Sequence, residues 1–269
     1  MNLAIMSVEQ KPLGSRKLPP QFEEAFRPDI IRRAVLALQN LRRQPYGTSP
    51  VAGKRASALM SKRRRDYNTT YGIGQSRTPR KIMSHRGTRM NWAGAFAPQT
   101  VGGRKAHPPK ASKIWVQKIN RKESRKALRS AIAASVSKEI VAARGHRLPE
   151  NFPFIIESKI ENMDKTKNVR DVLEKLGFER ELERASVKSV RSGKGKMRGR
   201  KYVKRNGPLI VVENPEKIRK AARNLPGVLV VAVDRLNAEQ LAPGALPGRL
   251  TLWTEAAINK LEKEKLFLK

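Results

Sequence analysis

Two kinds of hydrophobic run alternate along this chain, and one long stretch has neither. Leu209–Val212 is four apolar residues in a row, residues 228–233 are six, and residues 250–253 form a third short run. Runs this brief and this apolar predict strands buried on both faces of a parallel sheet. Residues 3–8 and 154–156 predict two more short strands, while Pro12 and Gly14 make 11–17 a turn. Helical spacing fills the intervals. Pro28 and Asp29 open a first helix whose apolar set is Ile30, Ala34, Ala37, Leu38 and Leu41, flanked by Arg32, Arg33, Arg42 and Arg43 and ended by Pro45. Residues 120–143 predict a second, with Asn120 as its cap, Gly145 beyond its end, and Leu128, Ala131, Ile132, Ser135, Val136 and Ile140 inward. Residues 168–177 predict a third on Val169, Val172, Leu173 and Leu176. Residues 215–224 and 255–268 predict two more, the last burying Ala257, Ile258, Leu261 and Leu266. The fold class is therefore α/β, a mainly parallel sheet with helices on both faces.

The exception is residues 44–113. Val51, Ile73, Met83, Trp92, Phe96 and Val101 follow no period of 2 or 3.6, and eight Gly and six Pro interrupt the rest. Ordering a residue costs about 1–2 kcal/mol in backbone entropy, which hydrophobic burial here cannot offset. The chain divides accordingly. Residues 1–43 and 114–269 make the globular domain, 44–113 a long extended basic loop inserted after the first helix, and 188–205 a second basic insertion.

Charge sharpens that division. The chain of 269 residues has 58 Lys and Arg against 23 Asp and Glu, a net charge of +35. Residues 44–113 hold fifteen cations and one acid, Asp66, and residues 188–205 hold nine cations and no acid, whereas 150–187 are slightly acidic. Segregated charge of this kind is the footprint of a polyanion, and nucleic acid can order an extended chain through its phosphates. The candidates for phosphate contact are Lys54, Arg55, Lys62, Arg63, Arg64, Arg65, Arg77, Arg80, Lys81, Arg86, Arg89, Arg104 and Lys105 in the loop. Lys194, Lys196, Arg198, Arg200 and Lys201 are those of the second insertion. Arg121, Lys122, Arg125, Lys126 and Arg129 oppose the dipole of the second helix, which implies that they serve a partner. Tyr67, Tyr71, Trp92 and Phe96 lie inside the cationic loop, placed either to stack on unpaired bases or to pack against neighbouring Lys and Arg stems.

Other chemistries find little support. There is no cysteine, and His85, His107 and His146 are far apart, so neither a disulfide, a metal nor a cofactor is expected. No stretch of 18 apolar residues or basic-led leader is present, so a cytoplasmic protein with no membrane partner is expected. Gly193 to Lys201 has the wrong spacing for a phosphate-binding loop and no following Ser or Thr. Gly47 to Arg55 fails on spacing too. Asp234 ends the 228–233 strand, where α/β enzymes place ligand-binding acids, but a turn or cap role fits better. An RNA-directed nucleotide-dependent enzyme and a DNA-compacting protein remain the alternatives.

Four stretches carry a resemblance. They are 34–53, with Gln-Pro-Tyr-Gly-Thr-Ser-Pro and Ala-Gly-Lys-Arg; 102–109, Gly-Gly-Arg-Lys-Ala-His-Pro-Pro; 120–134; and 191–212, with Gly-Lys-Gly-Lys-Met-Arg before Gly-Pro-Leu-Ile-Val-Val. Together they resemble the universal large-subunit ribosomal protein four family in its archaeal and eukaryotic form. The resemblance implies a structural constituent of the large ribosomal subunit that binds its ribosomal RNA, neighbours other ribosomal proteins and does not self-associate. It implies that the globular domain faces solvent while the loop threads through RNA to the nascent-peptide exit tunnel. The tip then falls near 71–89, with Tyr71, Gly72, Ile73, Gly74, Gln75, Ser76 and Arg77 at the wall, where growing peptide meets protein. Residues 44–70 and 90–113 become its arms. The chain stops at Lys269 without the C-terminal extension of eukaryotic members.

Overall fold

The computed structural model describes residues 1–87 and 89–268. The chain starts in β1 (Asn2–Met6), folds back as β2 (Pro12–Lys17) and enters α1 (Pro28–Leu41). The basic stretch contains β3 (Arg80–Arg86) and β4 (Arg89–Gly94). Then come α2 (Arg121–Val136), α3 (Lys138–Ala143), β5 (Ile155–Ile156), α4 (Thr166–Lys175) and α5 (Glu179–Ser186). The two short strands β6 (Ser189–Val190) and β7 (Tyr202–Val203) bracket the second insertion. The chain closes with β8 (Leu209–Val212), α6 (Glu216–Ala222), β9 (Leu229–Ala232), α7 (Ala238–Leu241), β10 (Thr251–Thr254) and α8 (Glu255–Lys263).

Six strands form one sheet in the order β2-β1-β5-β10-β8-β9, parallel throughout except for β2 at one edge. Successive residues of a strand point to opposite faces, and β8 shows the consequence. Leu209 and Val211 join a core under α1, α2, α7 and α8 that includes Ile31, Ile132, Trp253 and Ile258. Ile210 and Val212 join the opposite core, with Phe178, Leu173, Ile218 and Val141 from α3 to α6. A strand buried on both sides has no polar face, which is why β8 reads as four consecutive apolar residues.

Several elements differ from the sequence expectation. Residues 12–17 are a strand rather than a turn; they carry no apolar alternation, and their place is set by backbone pairing with β1. Helix α1 buries Ile31, Ala34, Val35 and Ala37, while Ile30 and Leu38 are only half-buried and Leu41 is exposed. The stripe is therefore rotated by about one residue. The helix expected over 120–143 breaks at Ser137, whose ψ is 113°. Two residues earlier the Ser135 hydroxyl donates to the Ile132 carbonyl (2.7 Å), competition of the kind that bends helices. Helix α5 and the one-turn α7 were not anticipated. The latter starts on a reciprocal cap in which Asn237 Oδ1 accepts from the Gln240 amide (2.9 Å) and Gln240 Oε1 from the Asn237 amide (3.0 Å).

By their contacts the residues divide into two units, Met1–Arg42 with Val116–Lys269, and Arg43–Trp115. In the first, the entrance to β8 is tightly fastened. The Gly207 amide donates to the Gly227 carbonyl (3.0 Å), and Gly227 has a φ of +76° with Gly207 N only 2.7 Å from where a Cβ would sit. Arg249 is buried there, donating to the carbonyls of Gly207 (3.0 Å), Gln240 (3.1 Å) and Gly227 (3.3 Å). Burial, with Arg144 nearby, pulls its guanidinium down to about 10.

A second buried group lies between α3 and α5. Glu181 Oε1 is 2.6 Å from His146 Nδ1, and Arg184 donates to both carboxylate oxygens while also reaching the Asn206 carbonyl (2.6 Å). Burial opposes ionisation of Glu181, but hydrogen bonds from Arg184, His146 and the Arg147 amide outweigh it and hold the carboxyl at about 2.

Two predictions follow from these fastenings. Gly227→Ala combines left-handed strain with a backbone clash, so it should lower unfolding free energy by about 2–3 kcal/mol, read as a shifted urea midpoint. Glu181 has its pKa lowered on folding, so its contribution is present above about 4.5 and is lost as pH falls toward about 2. Glu181→Gln should therefore flatten the stability–pH curve in that window by up to about one proton, with stability measured by denaturant titration at each pH.

Candidate nucleic-acid interface

The unit Arg43–Trp115 begins and ends on one aromatic stack. The Tyr46 and Trp115 rings lie 5.8 Å apart and near parallel, with Arg43 4.0 Å and Lys113 4.5 Å from the Trp115 ring centre. Just inside, the Thr48 amide donates to the Pro109 carbonyl (3.2 Å), and Gly47 passes so close to Ala111 that no Cβ would fit. The two arms are thus closed at their base without a hydrophobic core. Deeper in, they line a cleft of about 810 Å³ that brings Lys54, Arg104 and Lys105 together with Lys110.

Contrary to the expectation of no regular structure in this stretch, β3 and β4 pair as an antiparallel ribbon. Ile82 lies opposite Trp92 and His85 opposite Met90, but Met83 is bulged out, which erases the alternation from the sequence. Every residue of β3 after Arg80 is exposed and β4 only half-buries Met90, Trp92 and Gly94, so no face of the ribbon is fully buried, and isolated two-stranded ribbons are marginal in water. Arg86 sits directly opposite Arg89, a like-charge pair that opposes the pairing. Residues 71–77 do not extend. Tyr71, Gly72, Ile73 and Gly74 form a turn with Gly72 and Gly74 at positive φ in open space, and Arg77 folds back to 4.5 Å from the Tyr71 ring. A second cleft, about 610 Å³, joins Arg65 and Arg89 to Tyr67 and Trp92.

Residues 188–205 form a small hairpin. Strands β6 and β7 pair, the Arg191 amide donates to the Lys201 carbonyl (2.8 Å), and Arg191 Nε donates to the Arg200 carbonyl (3.1 Å). Between them Lys194–Arg198 make a 3-10 turn bounded by Gly193 and Gly199, both at positive φ. Its roots are the Arg184 and Arg249 fastenings described above.

The electrostatics of the two basic segments differ from those of the domain. In the domain, cations pair: Arg129 with Glu24 (2.8 Å), Arg42 with Glu239 (2.8 Å), Arg16 with Glu262 (2.9 Å). Arg129 and Lys126, expected to serve a partner, are thus tied to Glu24 instead. Among the described residues none of the eighteen candidate phosphate-contacting cations forms an ion pair, and all but the half-buried Arg80 and Arg104 are exposed. Their interactions are with rings and carbonyls. Arg80 lies 5.8 Å from the Trp92 ring centre, Lys54 6.0 Å from that of Phe96, and Lys201 5.5 Å from that of Tyr202. Trp92, Phe96 and Tyr71 therefore meet the chain's own cations. The stack of Tyr46 and Arg43 on Trp115 was not anticipated from the sequence, where an aromatic residue close to a cation at each end of the tract was the available signal.

The carboxyl ends of the parallel strands, where α/β folds bind ligands, are closed by the chain itself. The buried Glu161 accepts from the amides of Glu213 (3.1 Å) and Asn214 (3.0 Å) after β8 and from the Thr254 hydroxyl (2.6 Å) at the end of β10. A carboxylate in that place repels phosphate. Asp234 lies in a 3-10 turn and pairs with Lys260 (2.6 Å), whose ammonium it holds above the usual lysine range.

Comparison with known proteins gives a consistent picture. Residues 16–264 match the Ribosomal protein L4/L1 family. The large ribosomal subunit protein uL4 of Nanoarchaeum equitans is 47% identical over 268 residues, covering 99% of this chain and 100% of that one. Those of Archaeoglobus fulgidus and Methanoculleus marisnigri are 44% and 49% identical, over 97% and 91% of this chain and 98% and 92% of theirs. The chain belongs to the ribosomal protein L4/L1 family. That membership makes it a structural ribosomal protein, and the reading as a nucleotide-dependent enzyme is not supported. Glu161 supplies a physical reason why this L4/L1 sheet serves as a scaffold.

Replacing Trp115 with Ala should loosen the base of the basic unit. The expected result is several-fold faster hydrogen exchange at the Thr48 amide, with β8 and β10 amides unchanged; a cation over Trp contributes about 0.5–1 kcal/mol at exposed sites.

Proposed function

We propose that this protein is a structural constituent of the large ribosomal subunit, working in the cytoplasm, that binds large-subunit ribosomal RNA through residues 44–113 and 188–205. The observation that carries the reading is the eighteen cations without a carboxylate partner among the described residues, sixteen of them exposed, on segments that bury no core of their own. The names of the archaeal relatives support the assembly and imply ribosomal proteins as neighbours. Arg and Lys neutralise phosphates where RNA helices crowd, and Arg adds bidentate contact and stacking. Gly and Pro let the chain pass between helices. The α/β domain is the anchor, and residues 71–89 reach the nascent-peptide tunnel and give its wall a protein surface. The turn at Tyr71–Gly74 and strand β3 of the ribbon fall in that segment.

Each neutralised phosphate releases counterions, so log affinity for large-subunit RNA fragments should fall linearly with log salt, by roughly 0.7–0.9 per contact. Substituting Lys194, Lys196, Arg198, Arg200 and Lys201 together with Gln should reduce that slope without changing the circular dichroism of the sheet. An unchanged slope removes the second hairpin from the interface. Deleting residues 70–89 should leave the thermal stability of the α/β domain intact, since loop length costs only about 0.6 kcal/mol per doubling. The same deletion should widen the tunnel constriction seen by electron cryomicroscopy of the assembled subunit, and a tunnel of unchanged width contradicts the placement.

A further inference from the structure

The sheet ends at β9, and among the described residues nothing pairs with its outer side. The Leu229 amide donates inward to Pro208 (3.1 Å), so by strand alternation the amides and carbonyls of Val230 and Ala232 face the open edge. Proteins normally cover or blunt such an edge, because it is a template for another strand. Here the edge opens into a groove of about 800 Å³ between β9 and α6. Its floor is apolar, formed by Ala222, Val228, Leu229 and Val230, and Leu229 is 39% exposed at the mouth. Its wall carries Arg219, Lys220 and Arg223 against the single acid Glu216.

We propose that this groove takes an extended acidic peptide segment of another protein, which adds to the sheet as a seventh strand beside β9. The backbone edge supplies main-chain hydrogen bonds, the apolar floor receives one face of the incoming strand, and the three cations receive alternate carboxylates. RNA meets only part of this surface. Phosphates match the cations, but a nucleic acid has no use for a row of peptide donors and acceptors over an apolar floor. The proposal is separate from the RNA-binding reading, since no residue of the groove lies in 44–113 or 188–205.

The test uses the full-length protein and a synthetic capped peptide of alternating Val and Glu. A control peptide of the same sequence is N-methylated at every second residue, which keeps its charge and removes its hydrogen-bonding edge. Both are compared at physiological salt, where screening limits non-specific attraction to the basic segments. The expected result is that the first peptide slows hydrogen exchange at the Val230 and Ala232 amides by about tenfold, whereas the control slows neither. R219Q/K220Q/R223Q should weaken the first peptide by about tenfold with the sheet's exchange otherwise unchanged. Equal binding of the two peptides overturns the proposal, as does protection confined to residues 43–115. So does protection of Val230 and Ala232 by an RNA oligonucleotide but by neither peptide; in that case the cations belong to RNA.

Discussion

Unneutralised positive charge governs how this chain is organised. An exposed cation in water is inexpensive, but fifteen of them in seventy residues repel one another, and the chain offers that tract a single carboxylate, Asp66. The tract responds with what its sequence permits: an aromatic stack at Trp115, a bulged ribbon with Arg86 facing Arg89, and backbone turns at glycines. Each of these fixes local direction, and none buries enough apolar surface to offset the ordering cost. On the proposed function a polyanion supplies the missing free energy: condensed counterions leave, the Arg–Arg repulsion across the ribbon is screened, and the same residues that burden the free protein hold the bound one.

The α/β domain answers the opposite problem, that of carrying such segments without being disturbed by them. Several of its own cations, Arg16, Arg42 and Arg129 among them, are paired with carboxylates, and its sheet is packed on both faces. The second hairpin is rooted by two arginines, the half-buried Arg184 reaching Asn206 and the buried Arg249 reaching Gly207. The Gly207–Gly227 approach then leads directly into β8. Glu161 ties together the ends of β8 and β10. At the strand ends where α/β sheets elsewhere bind ligands, this sheet is closed by a carboxylate, which suits the anchoring role proposed for it.

Much of this was legible in the sequence where burial writes the pattern. The strands β8 and β9, helix α4 with Val169, Val172, Leu173 and Leu176 inward, and the segregated charge all follow from side-chain hydropathy and spacing. Elements specified by other forces were hidden. Strand β2 is held by main-chain pairing, with side chains of no consistent character. Helix α5 has the sequence Glu-Arg-Glu-Leu-Glu-Arg-Ala-Ser, and its buried side includes Glu181, satisfied by Arg184 together with His146 and the Arg147 amide, which arrive from elsewhere in the chain. Within the candidate interface the individual cations were evident as a class. Their grouping into the Lys54–Arg104–Lys105 and Arg65–Arg89 clefts depends on how the arms fold and has no local signature.

The dependence of the basic segment on its partner is the central claim, and amide hydrogen exchange across residues 44–113 measures it most directly. In the free protein the amides inward of the Thr48–Pro109 closure, including the β3–β4 ladder, should exchange at rates close to those of an unstructured chain while β8 and β10 stay protected. In the assembled large subunit the same amides should become slow. Protection of the ribbon in the free protein comparable to that of β8 would contradict the account, because the segment would then possess a source of stability other than RNA.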